Sequence, residues 1–414
     1  MDKVVNFGCR LNSFESEQIE YLLAETGRDD LLVVNSCAVT NETERKVRQK
    51  VRQLARDNPD KTIAVVGCSA QLHPEDYAAM SGVSLVLGND EKLSKGSYSL
   101  KENAPRIRAV SNGQKSLHIH KLKAETQKSR GQVMIQTGCD HDCTFCAITT
   151  ARGDSRSVPI HEVVDYIKKL CTQDIVEVVL TGVDISAYGA DLPEPTTLGA
   201  LVAEILKGVP ELPRLRFSSI DCIELDDQLK ALIVSEPRIM PHLHLSLQSG
   251  DDMILKRMKR RHQRDEAVAL CQELRTQRPE MVFGADLIAG FPTETPEMFA
   301  NTLDLIEDCG LTFLHVFPFS ARDGTPAARI PKQIPMPERK RRAKALRLKG
   351  EEVRANLYGA LKDTVQEIVL EYHNYGKTPH AIPVRLNTPV ETDHGVVPVQ
   401  ITHWDADYLY GDAL

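Results

Sequence analysis

The chain has 414 residues, too many for one compact core, so two to four domains are expected. Hydrophobic residues make up 42% and charged residues 26%, an ordinary globular composition, and the net charge of −7 gives no global reason to bind nucleic acid. No apolar run is long enough to span a membrane and Met1-Asp2-Lys3 leads directly into a strand pattern, so a cytoplasmic protein with no membrane partner is expected. In that reducing setting the ten cysteines point to metal or catalysis before disulfides.

In chain order, Val4–Phe7, Leu31–Asn35, Ile63–Gly67 and Leu85–Leu87 are short apolar runs that read as buried parallel strands. Helical patterns at Glu15–Glu25 and Thr43–Arg56 lie between them, which predicts a small doubly wound α/β domain over 1–95. Residues 96–129 are polar and aperiodic and read as a linker. A second βα series follows over 130–335, with strands at Val133–Gln136, Val176–Leu180, Leu215–Ser218, Leu243–Leu247, Gly284–Ile288 and Leu314–Pro318. Helical patterns such as His161–Cys171 and Asp265–Arg278 separate them. Six βα units are too few for a closed eight-stranded barrel, so an open partial (β/α)6 barrel with its site at the carboxyl strand ends is expected. Residues 336–357 form a basic helix. Over 358–414, Thr364–Tyr372, Ala381–Leu386, Gly395–Ile401 and Tyr408–Gly411 alternate like short antiparallel strands, split by turn residues at Asn374–Gly376 and Asp393–Gly395. They predict a small antiparallel β-barrel of about sixty residues.

Chemistry concentrates where the first barrel strand ends, in Gly138-Cys139-Asp140-His141-Asp142-Cys143-Thr144-Phe145-Cys146. Three thiolates on one short loop hold three irons of a cubane and leave the fourth open to a small molecule. A structural zinc knuckle is the other reading. Zinc wants four closed ligands, and although His141 sits in the loop, no fourth ligand follows at finger spacing. The loop resembles the radical S-adenosylmethionine signature, with Cys139, Cys143 and Cys146 as the cluster ligands and Phe145 as its aromatic. The resemblance implies that the open iron binds the amino and carboxylate groups of S-adenosylmethionine, whose reductive cleavage yields a hydrogen-abstracting radical. It also implies cofactor contacts at later strand ends: Asp184 in Thr181-Gly182-Val183-Asp184, Ser218 and Ser219 after Arg216-Phe217, Gln248 in Ser246-Leu247-Gln248-Ser249-Gly250, and Ile288 in Asp286-Leu287-Ile288.

Cys9, Cys37 and Cys68 each follow a predicted strand of the first domain. Ligands gather outside the carboxyl strand ends of α/β sheets, so three cysteines distant in sequence can meet there. Buried cysteines also serve as small hydrophobes, and Cys171, Cys222, Cys271 and Cys309 suit that role better. A three-cysteine α/β domain, a radical barrel and a C-terminal β-barrel together resemble the methylthiotransferase family over nearly the whole chain. By that resemblance Cys9, Cys37 and Cys68 hold an auxiliary 4Fe–4S cluster that carries the inserted sulfur, making two clusters in all. Asn35-Ser36-Cys37-Ala38-Val39-Thr40, Glu44-Arg45-Lys46-Val47-Arg48-Gln49, Leu180–Ile185 and His315–Arg322 with Gly324-Thr325-Pro326-Ala327 resemble the branch that acts on N6-threonylcarbamoyladenosine beside the tRNA anticodon. Other branches act on isopentenyl-adenosine in tRNA or on an aspartate of a ribosomal protein, and a non-catalytic RNA-binding metalloprotein is a further reading.

The chain departs from the family pattern at Arg10, where lysine is commoner, at His262, where tyrosine is usual, and at Asp221-Cys222, where proline is frequent. The implied partners are tRNA, an external electron donor of the flavodoxin or ferredoxin type, and a sulfur donor. Three basic runs suit RNA: Arg45, Lys46, Arg48, Lys50 and Arg52; Lys256, Arg257, Lys259, Arg260 and Arg261; and Arg339, Lys340, Arg341, Arg342, Lys344, Arg347 and Lys349. The last barrel looks like the TRAM module, an RNA-binding fold. Its Tyr372, Trp404, Tyr408 and Tyr410 read first as core residues and second as base-stacking ones.

Overall fold

Strands Val4–Asn6, Leu31–Ser36, Thr62–Gly67 and Val83–Leu87 pair in parallel, side by side in chain order. The middle two are apolar on both faces, so the sheet needs cover on both. Ile19 and Leu23 of helix Arg10–Thr26 pack on one face together with Tyr98. Val47, Val51 and Leu54 of helix Asn41–Asp57 pack on the other with Tyr77. These three residues recur at helical spacing on one side of a strongly polar helix, while Thr40 caps its start by accepting from the Thr43 N–H at 3.1 Å. Tyr98 belongs to a one-turn helix, Lys95–Tyr98, inside what reads from sequence as linker. A single large ring filling the sheet face leaves no periodic signal. The rest of that stretch lies mainly outside the described residues: this computed structural model describes 3–99, 117–119, 122–123 and 129–414.

The chain divides into two compact units. One comprises Met1–Lys123, Gln136–Ser157 and Ser320–Ala328; the other comprises Ala124–Ile135, Val158–Phe319 and Arg329–Leu414. The short segments 136–157 and 320–328 therefore belong with the N-terminal sheet. Within the first unit Arg322 reaches Glu44 at 2.7 Å, and the Asn41 side chain donates to the Ala321 carbonyl at 3.0 Å.

In the second unit six parallel strands follow one another: Arg130–Met134, Glu177–Thr181, Arg214–Phe217 continuing as Ser219–Ile220, His242–Gln248, Val282–Ala289 and Leu311–Pro318. The third is broken at Ser218, so its first half pairs with the second strand and its second half with the fourth. The first strand begins three residues ahead of its predicted start at Val133. Gln136, predicted as its end, belongs with Thr137 to a separate short strand that pairs antiparallel with Arg156–Ser157. Its side chain explains this: Gln136 Nε2 donates to the Gly138 carbonyl at 2.8 Å and to Ser155 Oγ at 2.9 Å, which commits it to the loop.

Helix Met336–Leu361 leads to a closed barrel of Val365–Tyr372, Tyr375–Lys377, Pro383–Leu386, Leu409–Ala413 and Val396–Trp404. Asn374–Gly376 reads from sequence as a turn, yet Tyr375–Lys377 is a strand. The tight connection is His373-Asn374 alone, because Tyr372 already pairs with Tyr375. Pro383–Leu386 and Leu409–Ala413 pair in parallel, so the barrel is not antiparallel throughout. Its core is Tyr358, Ile368, Leu370, Ile382, Val384, Leu386, Val399, Ile401 and Leu409. Tyr372, Trp404, Tyr408 and Tyr410 are outside that core, which corrects the expectation that they fill it. Among the described residues no helix is long and apolar enough to cross a membrane.

Candidate functional site

The register that pairs Asn6 with Asn35 and Ser36 with Gly67 brings the ends of three adjacent strands level. Cys37 and Cys68 follow those ends directly, and Cys9 follows after Phe7 and Gly8. Gly8 adopts φ +120°, and a Cβ there would lie 2.8 Å from Cys37 Cβ and 2.9 Å from its Sγ, so glycine permits the first two turns to approach. Cys9 is exposed, while Cys37 and Cys68 are buried. Burial, reinforced by the neighbouring Cys68 and Cys9 thiols, pushes the Cys37 thiol up to about 12. Such a thiol stays protonated until a metal cation displaces the proton.

The second set lies in the same unit. Gly138 (φ +78°) precedes Cys139, and a Cβ there would fall 1.8 Å from the Asp154 carbonyl oxygen. The loop is held at many points: Cys139 N–H donates to the Gly153 carbonyl at 3.1 Å, Asp140 Oδ1 accepts from Ser155 N–H at 2.7 Å, and Ala327 N–H donates to the Thr144 carbonyl at 2.9 Å. Backbone N–H groups of His141 and Ile148 point at Cys139 Sγ (3.5 Å) and Cys146 Sγ (3.4 Å). Three sulfurs on a braced loop with N–H donors aimed at two of them fit a cubane with one open iron. A Gly138→Ala protein is expected to lose this set's iron and more than about 1 kcal/mol of stability, because both φ and the space forbid a side chain. Iron per chain together with a denaturation curve checks both effects.

Sequence reasoning missed the side chains beneath these cysteines. Arg152 is buried and its Nε donates to Cys68 Sγ at 3.1 Å, while both Nη groups hold the Glu15 carboxylate at 2.8 and 3.0 Å. Lys92, also fully buried, reaches the same carboxylate at 2.5 Å. Burial alone would raise the Glu15 carboxyl, but Arg152 and Lys92 outweigh it and hold it below its ordinary value. Buried charges of this kind are tolerated only when paired, and single charged letters in a sequence carry no sign of such pairing.

In the second unit, Ser218 occupies the break in the third strand. Its buried Oγ, like Thr181 Oγ1 at the end of the second strand, has no hydrogen-bond partner among the described residues. Unpaired buried hydroxyls cost free energy, which fits a polar ligand at these strand ends. Ser219 pairs with His244. Gln248 has φ +69° at a register shift, an outlier of the sort found at ligand sites. Asp184 opens the short turn Ile185–Ala187, and Ile288 is nearly buried on the fifth strand. Phe145 is in the first unit with the cysteines; Asp184, Ser218, Ser219, Gln248 and Ile288 are all in the second. Asp286, two residues before Ile288, accepts from or faces His244 Nε2 at 3.0 Å and His315 Nδ1 at 3.1 Å. Burial would raise the Asp286 carboxyl, but both imidazoles outweigh it and keep it ionised well below its ordinary value.

Two of the three departures from the family pattern meet. The ligand atoms of Asp221, Cys222 and His262 lie within 4.8 Å of one another, all buried. Arg260 closes the charge there, on Asp221 Oδ2 at 2.6 Å and the Ser246 carbonyl at 2.8 Å. Arg260 is thus spent inside the fold, as are two other members of the basic runs: Arg339, on the Phe319 carbonyl at 2.8 Å, and Arg342, on Glu294 at 2.6 Å. Lys340, Arg341, Lys344 and Arg347 of the same helix are exposed.

Residues 133–306 match the radical SAM superfamily, and residues 3–88 match the family described as uncharacterized protein family UPF0004. The threonylcarbamoyladenosine tRNA methylthiotransferase MtaB of Rickettsia prowazekii is 48% identical over 385 residues, covering 93% of this chain and 91% of its own. The chain belongs to the tRNA methylthiotransferase family. The similarly named methylthiotransferase of Thermotoga maritima is 34% identical, covering 85% of this chain and 82% of its own. Among solved structures, the radical S-adenosylmethionine methyltransferase TsrM of Kitasatospora setae aligns with TM-score 0.52 at 15% identity, over 74% of this chain and 66% of that one. That likeness, with the chain spanning just under two thirds of TsrM, concerns the fold alone. Family membership makes this protein a radical S-adenosylmethionine transferase, a class that works with that cofactor and 4Fe–4S clusters.

Proposed function

We propose that this methylthiotransferase adds a methylthio group to carbon 2 of N6-threonylcarbamoyladenosine beside the anticodon of tRNA. The observation that carries the reading is the presence of two three-cysteine sets in one compact unit, on a chain 48% identical to a relative named for that substrate. Cys139, Cys143 and Cys146 would hold the radical cluster, and Cys9, Cys37 and Cys68 the auxiliary one. When bound, these groups supply one-electron cleavage of the S-adenosylmethionine sulfonium and a sulfur for transfer.

The chain's own residues provide the rest. Phe145, Asp184, Ser218, Ser219, Gln248 and Ile288 bind and orient S-adenosylmethionine, Ser218 through the hydroxyl that has no hydrogen-bond partner among the described residues. Residues 1–95 form the auxiliary-cluster domain, 130–335 the radical domain, 336–357 a basic connection and 358–414 a TRAM-like grip on tRNA. The aromatic surface of the last barrel supports that grip. Tyr375 lies 6.2 Å from Tyr372 and 6.4 Å from Tyr408, His403 stacks on Tyr410 at 4.6 Å, and the Arg385 guanidinium sits 4.1 Å over Tyr408. Tyr372 and His403 are exposed and the other rings half-buried, and rings open to solvent beside an arginine are what unpaired bases stack on. The reducing electron comes from a flavodoxin- or ferredoxin-type protein and the sulfur from a separate donor, in the cytoplasm.

The test is mass spectrometry of nucleosides from tRNA incubated with the reconstituted protein, reductant and S-adenosylmethionine. Conversion of threonylcarbamoyladenosine to its 2-methylthio form is expected. Methylthiolation only of isopentenyl-adenosine, or only of a ribosomal protein, would overturn the substrate assignment.

A further inference from the structure

The short helix Ile148–Arg152 is tied to cysteine sulfur at both ends. At its start the Ile148 N–H donates to Cys146 Sγ at 3.4 Å; at its end Arg152 Nε donates to Cys68 Sγ at 3.1 Å. The other four N–H groups of Arg152 are also occupied. Nη1 donates to Glu15 Oε1 at 2.8 Å and Thr137 Oγ1 at 3.2 Å, and Nη2 to Asn12 Oδ1 at 2.9 Å and Glu15 Oε2 at 3.0 Å. All five donors of a planar guanidinium are thus used, a pattern that lysine, with three donors on a point charge, does not reproduce. The side chain is 2% exposed. Its neighbour Ala151 is fixed too: its carbonyl accepts from Asn89 Nδ2 at 2.7 Å, that same nitrogen lies 3.6 Å from Cys68 Sγ, and Ala151 packs with Ala38 and Cys68.

A fixed positive charge bonded to a ligand sulfur in a buried setting favours the more negative, reduced state of whatever iron that sulfur holds. Because the donor is the last residue of a helix whose first N–H is bonded to Cys146, the two cysteine sets are mechanically linked. We propose that Arg152 is a positioning residue of the auxiliary centre: it fixes the Cys68 sulfur, raises the reduction potential of the cluster on Cys9, Cys37 and Cys68, and couples that centre to the loop of the radical cluster. The proposal rests on the assignment of Cys68 as a cluster ligand.

The experiment uses the full chain, purified and reconstituted without oxygen, as wild type, Arg152→Lys, Arg152→Gln and the double variant Arg152→Gln/Glu15→Gln. Arg152→Gln leaves the Glu15 carboxylate paired with the buried Lys92, so its remaining charges balance, whereas the double variant takes away Lys92's partner and shows what that costs in iron content. Iron per chain is measured, and each cluster is followed by paramagnetic resonance during a reductive titration, with S-adenosylmethionine added to mark the radical cluster's signal. The expected result is about eight irons in Arg152→Gln, with the auxiliary midpoint potential lowered and the radical one unmoved. Arg152→Lys, which keeps charge but loses the fork, is expected to lie between wild type and Arg152→Gln. An unchanged auxiliary potential at full iron content overturns the proposal, as does loss of the auxiliary iron in every variant, which would make Arg152 a structural anchor only. If the Cys9/Cys37/Cys68 triple alanine protein keeps all its iron, the ligand assignment fails instead, whatever Arg152 does.

Discussion

Replacing Cys9, Cys37 and Cys68 together by alanine is expected to halve the iron, from about eight to about four per chain, and to abolish methylthiolation while S-adenosylmethionine is still cleaved reductively. Replacing Cys139, Cys143 and Cys146 is expected to remove the other half of the iron and all cofactor cleavage. The asymmetry follows from position. The first set sits at adjacent strand ends over the buried Arg152–Glu15–Lys92 group, whereas the second is carried by its own braced loop. Iron and acid-labile sulfide assays on anaerobic protein, with chromatography of 5′-deoxyadenosine and of tRNA nucleosides, give the three readouts. Modified tRNA from the Cys9/Cys37/Cys68 variant would sink the sulfur-carrier assignment. Four irons in the wild type falling to zero in the second variant would return the first set to structural cysteines.

The largest stability effect is expected at Glu177, at the start of the second barrel strand. Arg216 holds it with Nε at 2.8 Å and Nη2 at 3.0 Å, and Arg130 Nε adds a third bond at 2.8 Å. The same arginines lead outward to the small barrel, Arg130 to Glu371 at 2.5 Å and Arg216 to the Pro379 carbonyl at 2.9 Å. Burial would raise the Glu177 carboxyl, but the guanidinium groups of Arg216 and Arg130 outweigh it and bring it down to about 2, against an ordinary 4.5. A carboxyl lowered on folding contributes stability that is fully present above its unfolded value and lost as pH falls toward the folded one. That places the loss between about pH 5 and pH 2, and its size is about 3 kcal/mol. Glu177→Gln leaves two buried guanidinium groups short of a partner, a change that costs about 3–5 kcal/mol at neutral pH. Urea denaturation at pH 7 and at descending pH checks both parts. The variant should start lower and lose less stability on acidification than the wild type. An equally steep acid limb in both proteins would contradict the pairing.

The strand ends that carry the cysteines were legible because apolar runs and C-x3-C-x2-C spacing are local properties. Leu31–Asn35 and Ile63–Gly67 were expected within a residue of their observed bounds. Where the reading failed, the deciding contact lay outside the segment itself. Tyr375–Lys377 is a strand because its neighbours in the closed barrel complete its hydrogen bonds, overriding the turn signal of Asn374–Gly376. Tyr98 is core because a sheet face needed cover. The aromatics of the last barrel are outside its core because aliphatic residues and Tyr358 from the preceding helix already fill it.

Two sets of three cysteines, an α/β domain, a parallel partial barrel and a small β-barrel are all legible in the sequence. Residue type and short-range period carry that information whatever the rest of the chain does. Which charges are spent inside the protein and which remain for a partner is set by the folded arrangement. Arg152, Arg339 and Arg342 are the same letter as the exposed Arg341, yet each lies buried on an acceptor supplied from elsewhere in the chain, and Arg260 lies half-buried on Asp221. A buried charge is stable only beside its partner, and that partner's position is set by the packing of distant elements.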